Sequence, residues 1–174
     1  MNINLRELKE KDASLMLEWM HDKDFQKCFQ KNMLSITLEE ALKFCRTSSV
    51  PNQLSDGSNL HFAIVNDEDE YLGTISLKSL DLINKSAEYA IVTRKCVHGQ
   101  DVALNATKQV LKLAFNVYGL HRVYLNVFKD NLRASKFYAK CGFTYEGESR
   151  DCIYKDGVFK SLDWYSILSF DFII

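Results

Sequence analysis

The chain has 174 residues, 47% hydrophobic and 12% aromatic, enough for one ordinary domain with a substantial core and too few for two domains of typical size. Lys and Arg number 22 against 23 Asp and Glu, a formal net charge of −1, so no overall field gathers nucleic acid or an anionic membrane. The five cysteines, Cys28, Cys45, Cys96, Cys141 and Cys152, are odd in number and include no CxxC pair, which fits reduced thiols better than a disulfide framework or a zinc site.

The N-terminal stretch carries charge by Arg6 and has no apolar h-region, and no segment reaches the roughly 18 apolar residues of a membrane span. A soluble, cytoplasmic protein is expected. Residues Asn2 to Leu8 alternate Ile3 and Leu5 with polar neighbours and predict a strand, after which Asp12-Ala13-Ser14 opens a helical pattern carrying Leu15, Leu17, Trp19 and Met20. A second helical stretch is predicted near Asp24 to Gln30, and Thr37-Leu38-Glu39-Glu40 has the form of a capped helix start running to about Cys45. Thr47 to Ser58, with the single proline Pro51, reads as loop. Leu60 to Val65 and Tyr71 to Leu80 are strand-like runs joined by the acidic turn Asn66 to Glu70, and Ser86 to Thr93 is a third run, so a meander is predicted.

The rhythm then changes. From Asp101 to Tyr118 apolar residues recur at Val102, Ala106, Val110, Leu113, Ala114 and Val117, the three-to-four spacing of an amphipathic helix, with Gly119 placed to end it. His121 to Phe128 reads as a strand, Asn131 to Lys140 as a helix closed by Gly142, and the remainder as two strands around Lys155-Asp156-Gly157. The predicted order is β-α-α-α-β-β-β-α-β-α-β-β. Strand, helix, strand in the second half requires a right-handed crossover and a parallel pair, hence a mixed sheet in an α/β (α+β) three-layer domain spanning residues 1–174.

Two stretches carry a resemblance to a known family. Glu88-Tyr89-Ala90-Ile91-Val92-Thr93 leads into His98-Gly99-Gln100-Asp101-Val102-Ala103, and Asn131-Leu132-Arg133-Ala134-Ser135-Lys136-Phe137-Tyr138-Ala139-Lys140-Cys141-Gly142-Phe143 follows. With the element order, they make the chain resemble the GNAT acetyltransferase superfamily over nearly its whole length. That likeness implies a mostly antiparallel sheet of about seven strands flanked by helices, acetyl-CoA as co-substrate with no metal, and transfer of the acetyl group to a primary amine by direct attack. The second stretch is the more specific, since Asn131, Ala134, Ser135, Tyr138, Gly142 and Phe143 meet each point of the family's pattern.

In the first stretch the family places its pyrophosphate loop, where successive backbone N–H groups and the positive end of a helix dipole meet phosphate oxygens. His98 stands where Arg or Gln is usual and Asp101 where the central Gly is usual, while Ala103 matches. Asp101 reads equally as a plain N-cap of the next helix. The resemblance places Val92, Thr93, His98, Gly99, Gln100, Asp101, Val102, Ala103, Asn126 and Asn131 beside the coenzyme. It assigns protonation of the leaving thiolate to Tyr138, and polarisation of the thioester carbonyl to a backbone N–H near Val92, within about one residue. Some relatives carry a Glu twelve residues before the Tyr; here that position is Asn126, which cannot accept a proton, so Glu88 is the candidate base, with an ion-paired strand residue as its plain reading.

Leu17 to Asp24, with Trp19, His21 and Asp22, resembles a stretch of the branches that acetylate ribosomal-protein N-termini and the amino groups of nucleotide-activated sugars. Trp19 alone reads as core packing before it reads as substrate recognition, and His61 and His121 as structural or surface residues. The expected partner is a small-molecule or peptide amine, polyamines among the candidates, with no nucleic acid and no membrane and with homodimer formation left open. A coenzyme-binding module without turnover is the competing reading on the same fold.

Overall fold

The computed structural model describes residues 2–51 and 53–172. Strand β1 (Asn4–Glu7) leads through a 3-10 turn into helix α1 (Ala13–Met20), followed by α2 (Lys23–Gln26) and α3 (Leu38–Thr47). The meander β2 (Leu60–Val65), β3 (Tyr71–Asp81) and β4 (Ser86–Thr93) follows, then α4 (Val102–Lys112), β5 (Arg122–Phe128), α5 (Leu132–Lys140), β6 (Thr144–Lys155) and β7 (Val158–Leu168). The seven strands form one sheet in the order β1-β2-β3-β4-β5-β7-β6. All neighbours pair antiparallel except β4 and β5, which are parallel and joined through α4. The predicted element order and sheet class are those observed.

Local chemistry explains the helix starts. Thr37 Oγ1 accepts from Glu40 N at 3.2 Å while the Glu40 carboxylate accepts from Thr37 N at 2.7 Å, so the predicted capping box forms. Asn131 Oδ1 accepts from Ala134 N at 3.2 Å and starts α5. Two boundaries differ from the sequence reading. Helix α2 stops at Gln26, and the turn that follows is held from another part of the fold: Lys155 Nζ donates to Gln26 O at 2.6 Å and to Phe29 O at 2.5 Å. The long helix ends at Lys112 and passes into a π turn over Leu113–Val117, where Tyr118 N donates to Leu113 O at 2.9 Å before Gly119 at φ +66°.

The sheet separates two apolar layers. On one face β2, β3, β4 and β5 pack Ile64, Ile75, Tyr89 and Leu125 against Val102, Ala106 and Val110 of α4. On the other, Ala63, Val65 and Tyr71 pack against Met16, Trp19 and Met20 of α1 and Ala41 and Cys45 of α3. This is the predicted three-layer arrangement, and alternating sides along each strand explain it.

The parallel pair is short. Its register runs Ser86↔Arg122, Ala87↔Val123, Glu88↔Tyr124 and stops there, so Tyr89–Thr93 and Leu125–Phe128 diverge and leave a wedge in mid-sheet. Gly73 explains the divergence from the other side. A β-carbon on Gly73 would fall well inside van der Waals contact distance of the Val92 carbonyl oxygen and 2.9 Å from the Thr93 Cα. Only glycine lets the end of β4 lie so close to β3 and therefore so far from β5.

Candidate active site

The wedge opens into a cavity of about 280 Å³, between the ends of β4 and β5, the first turns of α4 and α5 and the Phe25–Phe29 segment. Of the residues singled out in the sequence, Val92, Thr93, His98, Ala103, Asn126, Asn131 and Tyr138 line it. Val102 is 1% exposed and packs in the core, so only its amide belongs to the loop. Glu88 lines neither this cavity nor its neighbour: it sits at the closed end of the wedge, ion-paired to Lys78 at 3.0 Å.

Strand parity sets the direction of the amides. Arg94 N donates to Leu72 O at 2.8 Å, and the β3–β4 register is unbroken from Gly73↔Thr93 to Lys78↔Glu88. In an antiparallel ladder, alternate residues turn both polar groups to the same neighbour. Val92 therefore points its N–H at β3, and Ile91 and Thr93 point theirs into the wedge. Ile91 is thus the candidate for the amide the sequence reading placed only within one position of Val92, because direction depends on a register that local sequence does not encode. The Thr93 carbonyl oxygen lies 3.3 Å from His98 Nε2.

Beyond Thr93 the loop turns at Gly99, φ +81°, and Asp101, φ +56°. Asp101 occupies the N-cap position of α4, yet its side chain caps nothing and instead pairs with Lys140 Nζ on α5 at 3.1 Å. The plain-cap reading of Asp101 thus gives way: the carboxylate turns off the helix axis. The amides of Gly99, Asp101, Val102, Ala103 and Leu104 have no acceptor among the described residues, so the start of α4 presents a set of free donors. Arg133, in the first turn of α5, lines the same cavity and makes no ion pair with any described residue. His98 is held below the usual histidine range by burial and then by the Arg133 charge, so at neutral pH it is an uncharged donor or acceptor. Free amides, a helix dipole and one unpaired guanidinium suit a diphosphate.

Tyr138 is packed by Tyr89, Phe137, Phe143 and Tyr165. Burial raises its phenol well above the ordinary range, with Cys141 and Cys28 adding to the effect. Its hydroxyl makes no hydrogen bond with any described residue, and the ring lines the wedge cavity beside Cys28. A neutral phenol with a free O–H, facing the cavity, can donate a proton and stays protonated in alkali. Asn126 Oδ1 accepts from Gln30 Nε2 at 2.9 Å, tying the segment after α2 to β5.

A second cavity of about 340 Å³ lies on the opposite side, between α1, α3 and the sheet. Phe29, Ile91 and Val92 line both cavities. Two chambers therefore meet at one backbone position with an inward amide, an arrangement suited to a reaction between two substrates arriving from opposite sides.

Known proteins bear on this geometry. The family model described as Acetyltransferase (GNAT) domain matches residues 2–144. The chain belongs to the GNAT acetyltransferase family. It is an acyltransferase that moves an acetyl group from acetyl-CoA to an amine. A spermidine N(1)-acetyltransferase of Vibrio cholerae is 25% identical over 140 residues, 79% of this chain and 81% of that one. Acetyltransferase PseH of Campylobacter jejuni is 27% identical over 151 residues, covering 87% and 88%. A crystal structure of a Vibrio cholerae spermidine N-acetyltransferase in complex with CoA and spermine superposes with a TM-score of 0.84 at 20% identity, over 97% of this chain and 96% of that one. Among the described residues there is no cluster of three or more metal-ligating side chains, and no helix is long and apolar enough to cross a membrane.

Proposed function

We propose that the wedge between β4 and β5 holds the pantetheine arm and thioester of acetyl-CoA, with its diphosphate on the free amides before α4 and on Arg133, and that a small primary amine enters from the second chamber. One observation carries the reading: Ile91 N–H and the unpartnered Tyr138 hydroxyl face the same cavity, at the wall the two chambers share. A coenzyme ligand of a solved relative of the same fold supports the assignment of the donor side.

In this reading the Ile91 amide donates to the thioester carbonyl oxygen as it gains negative charge. The amine nitrogen bonds to the carbonyl carbon, the carbon–sulfur bond breaks, and Tyr138 gives its proton to the departing sulfur. Glu88 receives the amine's proton through water, since it stands three residues, roughly 10 Å of strand, before Ile91 on the face shared with Ala90 and Val92. The absence of Glu at position 126 leaves Glu88 as the carboxylate of β4 and β5 nearest the chambers. Five free cysteines and a near-neutral net charge support a reducing, cytoplasmic setting without a nucleic-acid partner.

Release of free thiol from acetyl-CoA, measured with and without a panel of primary amines, tests this reading. Amine-dependent release with an acetylated amine detected by mass spectrometry is expected. Binding of acetyl-CoA with no release for any amine would make the protein a coenzyme-binding module instead.

A further inference from the structure

The second chamber has a definite chemical character. Its walls are Met16, Trp19 and Met20 of α1, Phe29, Met33, Ile36 and Phe44, with Thr74 and Ser76 at the sheet. Three titratable groups line it, and the single anion among them, Glu40, is already engaged at one of its two oxygens. The Glu40 carboxylate is committed to the capping box of α3, accepting from both the backbone N and Oγ1 of Thr37. Lys78 is a cation already paired with Glu88. His61 is kept neutral by burial and by the Lys78 charge, and its Nδ1 lies 2.8 Å from Ser76 Oγ. Its other ring nitrogen has no partner among the described residues, so with the Thr74 and Ser76 hydroxyls it gives the chamber a few uncharged polar contacts.

The size is equally specific. A dry cavity of about 150 Å³ takes a benzene ring, and this chamber has more than twice that volume, 340 Å³. Methionine and aromatic walls favour a flat or branched apolar body. A linear polyamine would bring two or more ammonium groups against walls that carry one carboxylate, Glu40, and one cation, Lys78, so at least one ammonium would lose its hydration unpaired. A single amine pressed against these walls gains something instead, because an apolar environment favours its neutral, nucleophilic form. That fits a site in which position 126 is an amide rather than a carboxylate.

Resting on the acetyl-transfer reading above, we infer that the acceptor is a primary amine carried on an aromatic or branched aliphatic body, which fills the α1–α3 chamber and presents its nitrogen at Ile91; linear polyamines are poor acceptors.

The test uses the full chain with saturating acetyl-CoA and compares kcat/KM for phenethylamine and tryptamine with that for spermidine. A preference of at least about tenfold for the arylalkylamines is expected, the lower range for burying extra apolar groups in a fitted pocket. Met33→Glu, in the loop before α3, supplies a second anion: it should cut arylalkylamine kcat/KM by about tenfold or more and raise that for spermidine, with acetyl-CoA affinity retained as proof of folding. Equal or better use of spermidine by the unaltered protein, or an unchanged ratio in Met33→Glu, would overturn the inference and leave the acetyl-transfer reading standing. Absence of any acetyl-CoA binding heat in calorimetry would overturn both.

Discussion

Tyr138 and Glu88 divide the proton work in the proposed reaction, and their variants separate it. Tyr138→Phe keeps the ring among Tyr89, Phe143 and Tyr165 and removes only the O–H. Turnover should fall by about 10²–10⁴ with acetyl-CoA affinity and melting temperature nearly unchanged. Because burial raises the phenol, activity of the unaltered protein should hold into alkaline solution with no decline from this group at its ordinary titration. Glu88→Gln should lower turnover and leave acetyl-CoA affinity intact. A lowered melting temperature with normal turnover would return Glu88 to being only the ion-pair partner of Lys78.

Asp101 shows how a residue's place can be legible while its role stays open. Its position at the start of α4 is legible from the hydrophobic period, and Asp there suggests a cap, but φ +56° aims the side chain at Lys140 instead. Asp101→Gly removes no cap and places the residue with least strain at a left-handed position. Stability should change by less than about 0.5 kcal/mol, the size expected for an exposed pair, and acetyl-CoA affinity should rise several-fold as Lys140 is freed and a carboxylate leaves the loop. Loss of about 1 kcal/mol in chemical denaturation with unchanged affinity would restore the cap reading.

At the scale of elements, the divergence of β4 from β5 is what makes a site. Gly73 on β3 sets it by close approach to Val92 and Thr93. Gly73→Ala should push the end of β4 toward β5, narrowing the wedge. A destabilisation of about 1–3 kcal/mol is expected from the overlap, with acetyl-CoA affinity lost at temperatures where the variant is still folded. Normal affinity in the folded variant would contradict this origin of the wedge. A lone glycine inside an otherwise regular strand was the available sequence signal. Phe29 and Ile91, by contrast, gave no local signal. Phe29 is placed by Lys155 donating to its carbonyl from the β6–β7 hairpin, and the outward turn of Ile91 depends on pairing with β3. Elements whose period or caps are local, such as α3 with Thr37 and Glu40 or the turn at Gly157, were legible; α2 and the end of α4, decided by distant partners and a π turn, were not.

For the whole molecule, one exposed turn fastens the sheet to the N-terminal segment. Asp69, between β2 and β3, pairs with Lys9 at 3.0 Å, with Lys11 at 2.5 Å and with Arg6, whose guanidinium also grips the buried Asp12 at 2.8 and 2.9 Å. Hydrogen bonds from Lys11, Arg6 and Lys9 hold the Asp69 carboxyl well below its ordinary value of 3.8. The folded state therefore binds this proton less readily than the unfolded chain, so the contribution is full above about pH 4 and fades as the solution becomes more acid. The melting temperature should drop below about pH 4, and Asp69→Asn should flatten that drop. An identical acid profile in Asp69→Asn would remove the turn from the acid response. The three-layer order itself was readable because alternating strands and three-to-four spaced helices must each bury one side.

The proposed place of acetyl-CoA, in the wedge with its diphosphate at the start of α4, is tested most directly at Ala103. Ala103 lines the cavity in the first turn of that helix, and Ala103→Glu puts a carboxylate there, which the helix dipole tolerates and a diphosphate does not. Calorimetric titration of acetyl-CoA should give a saturable heat with the unaltered protein and none with Ala103→Glu at an unchanged melting temperature. Equal affinity in the two proteins would contradict the placement of the coenzyme.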